Sequence, residues 1–119
     1  MNELLKKNFF SLLLIILFSL FIFSLALADL TKDKKEKAWD CVGIYMANYF
    51  LPSGEKFEYG MKEKSMASVK VWKTYAIEIG IKETDWDKGV NKAVDKHYGS
   101  KYNEKATNQC HSFLEATIP

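Results

Sequence analysis

Residues 68–81, SVKVWKTYAIEIGI, decide what kind of protein this chain makes. Val69, Val71, Ile77, Ile79 and Ile81 alternate with other positions as in a half-buried strand, while Met66, Val69, Trp72 or Lys73, Ala76 and Ile79 recur at the spacing of a helical face. A strand needs a neighbour for its backbone N–H and C=O groups, and no second stretch of this chain offers one. The segment therefore reads as helix, running over residues 61–79, with Gly80 placed as its C-terminal cap.

Working outward from there, the same period continues on both sides. Downstream, Thr84 stands as an N-cap with Asp85 and Asp87 near the positive helix end, and Trp86, Val90, Ala93, Val94 and His97 make one face of a helix over residues 85–98. Gly99 ends it and Ser100 is expected to cap a last helix reaching Thr117, with Tyr102, Ala106, Cys110, Phe113, Leu114 and Thr117 on its inner face. Upstream, residues 32–50 place Ala38, Cys41, Val42, Tyr45 and Tyr49 on one face with Trp39, Met46 and Phe50 beside it. So broad an apolar arc suits a central helix touched from two sides, or one that also gives surface to a partner. Pro52 and Gly54 stop that helix. Four helices with short connections predict a small, single-domain all-α bundle.

The first 28 residues read as an export signal rather than as domain. Lys6 and Lys7 precede a run from Phe9 to Leu25 that only serines interrupt, and Ala26-Leu27-Ala28 forms a small-x-small cleavage site. Cleavage before Asp29 would leave residues 29–119 as the helical domain. The other reading of this segment is an uncleaved membrane anchor, since its length lies at the lower edge of what spans a bilayer. In an exported chain the two cysteines point to a disulfide between Cys41 and Cys110, against the alternative of two buried free thiols. Closing so long a loop contributes about 4 kcal/mol by chain entropy.

Charge excludes more than it suggests. The chain has 17 basic residues, all lysine, against 15 acidic ones, and the domain is close to neutral, which does not describe a nucleic-acid binder. The membrane is met only through the signal before it is cleaved. Cys110-His111 resembles the end of a c-type haem attachment motif, but that motif needs cysteine where Thr107 stands. Asp85, Asp87 and Asn91 resemble the start of an EF-hand, yet Val90 replaces the turn glycine and Lys96 the bidentate glutamate. Cys110 as a nucleophile would need His97 or His111 as base, but a histidine next in sequence points about 100° around the helix. Two histidines on separate helices with no second ligand a turn away make a poor zinc site. Of Trp39, Trp72 and Trp86, two are expected in the core and one as a contact anchor. No catalytic set, metal or cofactor is expected, and an interaction protein is the leading class.

The spacing across residues 39–114 resembles the periplasmic immunity proteins that neutralise peptidoglycan amidases delivered by type VI secretion. The residues that carry the likeness are Trp39-Asp40-Cys41-Val42-Gly43 with Tyr45; Ala67, Trp72, Tyr75 and Glu78-Ile79-Gly80; Trp86 and Val90; Tyr98-Gly99-Ser100-Lys101-Tyr102; and Cys110-His111-Ser112-Phe113-Leu114. The resemblance implies a small helical protein, often a homodimer, with a disulfide from an early helix to the last. It would bind its cognate amidase and occlude the active-site cleft. It has no catalytic residues to carry over. The expected contact is the connection Tyr98, Gly99, Ser100, Lys101, Tyr102 and Asn103, because aromatic residues on a turn are good anchors for a cleft. The other reading of Tyr98 and Tyr102 is that they hold the third helix to the fourth. Other classes kept open are a different periplasmic inhibitor or chaperone, such as a lysozyme inhibitor, and a haem-binding redox protein.

Overall fold

The computed structural model describes residues 30–52 and 54–119. The export segment expected at residues 1–28 lies outside them. Four helices follow one another: α1 (Lys32–Tyr49), α2 (Met61–Glu78), α3 (Glu83–His97) and α4 (Glu104–Thr117). Among the described residues there is no strand, and residues 68–78 belong to α2. No helix among them is long and apolar enough to cross a membrane.

Helix α1 is the hub, packing most extensively on α3 and α2 and also on α4. Ala38, Cys41, Val42, Gly43, Tyr45, Ala47 and Asn48 are buried, but the arc expected to continue to Tyr49 and Phe50 is not: Trp39 and Met46 are half-buried, and Tyr49 and Phe50 are exposed where the helix ends. Small residues let α3 come close. A Cβ on Gly43 would stand 2.6 Å from the Ala93 carbonyl oxygen, and one on Gly89 would overlap the Trp39 ring, so the indole lies against bare backbone. Trp86 packs on Trp39 with ring centroids 5.9 Å apart. As expected, two tryptophans are core residues, Trp72 and Trp86 being almost wholly buried, while Trp39 is half-buried.

The threading is up-down-up-down. Going along α1 from Lys37 through Cys41 to Asn48, the partners on α4 run backwards from Phe113 through Cys110 to Thr107. On α3 they run forwards, from Trp86 and Gly89 at Trp39 to Ala93 at Gly43 and Tyr98 at Phe50. The start of α2 returns to the end of α1, where Lys62 Nζ donates to the Leu51 carbonyl at 2.6 Å. The ends of α1 and α3 therefore share one end of the bundle with the starts of α2 and α4.

Three local expectations need correction. The buried stripe of α2 is Met61, Ser65, Ser68, Trp72 and Ala76, whereas Met66, Val69 and Ile79 are half-buried. Two serines can face inward because each is satisfied within its own helix: Ser65 Oγ donates to Met61 Sδ at 3.4 Å and Ser68 Oγ to the Lys64 carbonyl at 2.9 Å. Helix α3 begins at Glu83 with Lys82 as N-cap, so Thr84 lies inside the first turn rather than before it. Lys73 of α2 draws that turn in, pairing with Glu83 at 3.1 Å and Asp87 at 3.2 Å. The fourth helix is capped by Asn103, whose Oδ1 accepts from the Ala106 N–H at 2.9 Å, and not by Ser100. Asn103 can reach the free amide three residues on, while Ser100 is used by the preceding turn.

Gly80 does what its position predicted. With φ +96°, it closes α2 in a double hydrogen-bond pattern, Gly80 N–H to the Ile77 carbonyl and Ile81 N–H to the Ala76 carbonyl, each 3.0 Å.

Candidate functional site

The disulfide sits at mid-height. Cys41 on α1 and Cys110 on α4 are bonded, 69 positions apart in sequence, with Cα atoms 5.5 Å apart, which joins the first and last helices. In this state Cys110 is neither a nucleophile nor a thioether donor. His111 is occupied in the same layer: the Tyr45 hydroxyl and its Nδ1 are hydrogen-bonded at 2.8 Å, and the two rings stack with centroids 5.2 Å apart. Burial pushes the Tyr45 hydroxyl up to about 12, so it keeps its proton. Burial, and then the Lys64 charge, lower His111, which favours the neutral ring that can accept. Thr107, where a haem motif would need cysteine, is buried and accepts from Asn48 Nδ2 at 3.0 Å. Each of these groups ties α4 to α1.

His97 belongs to a different cluster. Its Nε2 lies 2.6 Å from Asp40 Oδ1, which also receives Lys96 Nζ at 3.0 Å. Burial raises the Asp40 carboxyl, but the hydrogen bonds and charges of His97 and Lys96 outweigh it and hold the group below the usual aspartate range. Among the described residues no group of three or more His, Cys, Asp or Glu side chains is arranged to hold a metal ion.

The notable chemistry is at the end of the bundle where the first and third connections meet. Tyr49 and Phe50 leave α1 there, with ring centroids 5.3 Å apart and nearly perpendicular. Phe50 meets Tyr98, at the end of α3, edge to face at 6.3 Å. Tyr59, in the α1–α2 connection, is wholly exposed, Tyr98 is 68% exposed and Phe50 53%. Phe57 in the same connection is half-buried beneath the Lys62 ammonium, 5.4 Å from its ring centroid.

The expected contact residues are all at this end, but they are not equivalent. Tyr98 and Gly99 form the corner of a tight turn, closed by the Ser100 N–H on the His97 carbonyl at 3.0 Å, with Gly99 at φ +81° where a side chain would be strained. That corner points the Tyr98 ring outward. Ser100 and Lys101 are exposed and Asn103 is the cap of α4. Tyr102 is half-buried, and burial, then Glu104 and Glu58, raise its hydroxyl pKa. Below the turn lies a recess of about 220 Å³ floored by Ile44, Ala47 and Ala106.

Sequence reasoning missed Tyr49, Phe50 and Tyr59 as companions of Tyr98. The signal was available, since in an up-down bundle the first and third connections fall at one end.

No family model matches this chain, and no curated protein or solved structure is significantly similar to it. The likeness to immunity proteins rests on the residue pattern.

Proposed function

We propose that this chain is an exported immunity protein that binds a peptidoglycan amidase delivered by type VI secretion and blocks its active-site cleft with the aromatic end of the bundle. The observation that carries the reading is the pair of exposed rings Phe50 and Tyr98 in edge-to-face contact, with Tyr59 exposed on the α1–α2 connection at the same end, on a disulfide-joined frame. Exposed aromatic rings at one place are the composition of a protein contact, and a rigid base lowers the cost of ordering them on binding. The export signal read in residues 1–28 and the Cys41–Cys110 disulfide support the periplasm as the site of action. The protein works by shape and takes no part in covalent chemistry.

The test is co-expression with the amidase candidates encoded beside this gene, each directed to the periplasm. The chain should restore growth against one of them, and the Tyr59→Ala, Tyr98→Ala double variant, still folded, should not. If every toxic neighbour kills equally with and without the protein, the reading is wrong. Protection against lysozyme instead would assign the same surface to a different cell-wall hydrolase.

A further inference from the structure

Helix α4 is held differently from the other three. Their shared interior contains Val42 and Tyr45 of α1, Trp72 of α2 and Trp86 of α3, none more than 1% exposed, whereas the buried residues of α4 are Thr107 and Cys110. Its large apolar side chains, Phe113 and Leu114, are half-buried, with Phe113 stacked on the Trp72 ring at 5.5 Å between centroids. The other inward contacts are polar pairs, Asn48 with Thr107 and Tyr45 with His111. Helix α1 accordingly packs far less on α4 than on α2 or α3. Polar pairs of this kind replace bonds to water at small net gain, and a helix of 14 residues is marginal on its own. The strongest tie of α4 to the rest is the Cys41–Cys110 bond.

We infer that α4 is a redox latch: with Cys41 and Cys110 as thiols it leaves the α1–α3 unit, and forming the disulfide fastens it. Burial gives the order of events. In the closed bundle the two cysteines are 3% and 4% exposed, too little for a sulfur of another protein to reach, so oxidation takes place while α4 is off. The oxidant is a disulfide-bonded thiol oxidoreductase of an oxidising compartment. One thiolate of this chain attacks the oxidant's disulfide and releases its first thiol; the second thiolate then attacks the mixed disulfide and releases the other. One S–S bond forms here and one breaks there, and two electrons and two protons pass to the oxidant. Closure then shields the new bond, because the burial that excludes the oxidant also excludes a reducing thiol. Residues 100–103, which join α3 to α4, are fixed at both ends only after this step. The latch goes beyond the amidase reading and holds for any partner of the aromatic end.

The experiment is hydrogen exchange read by mass spectrometry on three samples. These are the purified disulfide form, the same protein reduced with a phosphine in denaturant and returned to native buffer with the phosphine present, and the Cys41→Ser, Cys110→Ser double variant. In the two samples without the bond, peptides from residues 104–117 should exchange about a hundredfold faster or more, while peptides from residues 38–48 and 86–97 stay within about threefold of the disulfide form. Retained protection over residues 104–117 would mean that packing alone holds α4. Parallel loss in all four helices would mean that the bond stabilises the whole bundle rather than one element. Either result overturns the latch. Alkylation supplies a second readout: in native buffer both thiols of the reduced protein should react with iodoacetamide within about tenfold of the rate of a free cysteine peptide, and slower reaction also overturns it. Neither readout involves a toxin, so failure here and failure of growth protection are separate results.

Discussion

At one end of the bundle the α2–α3 connection spends four residues, 79–82, and every feature of it closes the chain: the two hydrogen bonds around Gly80 and the Lys73 pairs to Glu83 and Asp87. At the other end two longer connections leave Phe50, Tyr59 and Tyr98 in water. Burying a large apolar side chain is worth about 1.5–3 kcal/mol, so the second end forgoes stabilisation that the first would have taken. Aromatic surface left exposed in this way is available to a partner, and under the proposed function the two ends would divide stability from recognition.

That division can be broken most severely from the middle. Cys110→Ser removes the bond that holds α4 to α1, and stability should fall by about 4 kcal/mol, matched by thiol reduction of the parent protein. Denaturant melts with and without reductant check it, and equal midpoints would remove the disulfide from the account. Next comes the buried pair at the aromatic end. Asn48→Ala leaves Thr107 without its partner and should cost about 2 kcal/mol, with the loss of order greatest at the α3–α4 turn by hydrogen exchange.

The helix ends compare directly. Gly80→Ala, at φ +96°, and Asn103→Ala, which deletes a cap bond, should each lower stability by about 1 kcal/mol. Only the second should impair growth protection, because only it loosens the aromatic end.

A smaller effect follows from Asp40. Its pKa is depressed on folding, so its contribution is present above the ordinary aspartate range and is lost as pH falls through its own lower value. Asp40→Asn should therefore flatten the acid limb of the stability curve, and parallel limbs in parent and variant would show that the His97 and Lys96 contacts contribute nothing. The smallest change in stability sharpens the comparison most. Tyr59→Ala, Tyr98→Ala and, as control, Ile77→Ala on an exposed side of α2 should all stay within about 0.5 kcal/mol of the parent in melts. The tyrosine variants should lose protection and the Ile77 variant should keep it.

Much of this was legible in order of locality. Gly80 as a helix stop, the inner face of α1 from Ala38 to Tyr45 and the pairing of the two cysteines each depend on a few neighbouring residues or on a count. The inner face of α2 was misread because Ser65 and Ser68 look polar, and only their bonds within the helix make them core residues. Ser100 follows Gly99 and so reads as the cap of α4, but the helix starts only at Glu104, and Asn103, directly before it, is the residue whose side-chain oxygen reaches the free Ala106 amide.

The sequence by itself determined four helices, their order and the Cys41–Cys110 staple, because periodicity, breakers and cysteine count are properties of the chain. Only the tertiary structure decided that Gly43 and Gly89 would bring α3 against α1, that Tyr98 would point out while Tyr102 was half-buried, and that Phe50, Tyr59 and Tyr98 would stand at one end. Those outcomes depend on which helix faces meet and at what height, and residues as much as 50 positions apart in sequence, such as Gly43 and Ala93, are brought together only by packing.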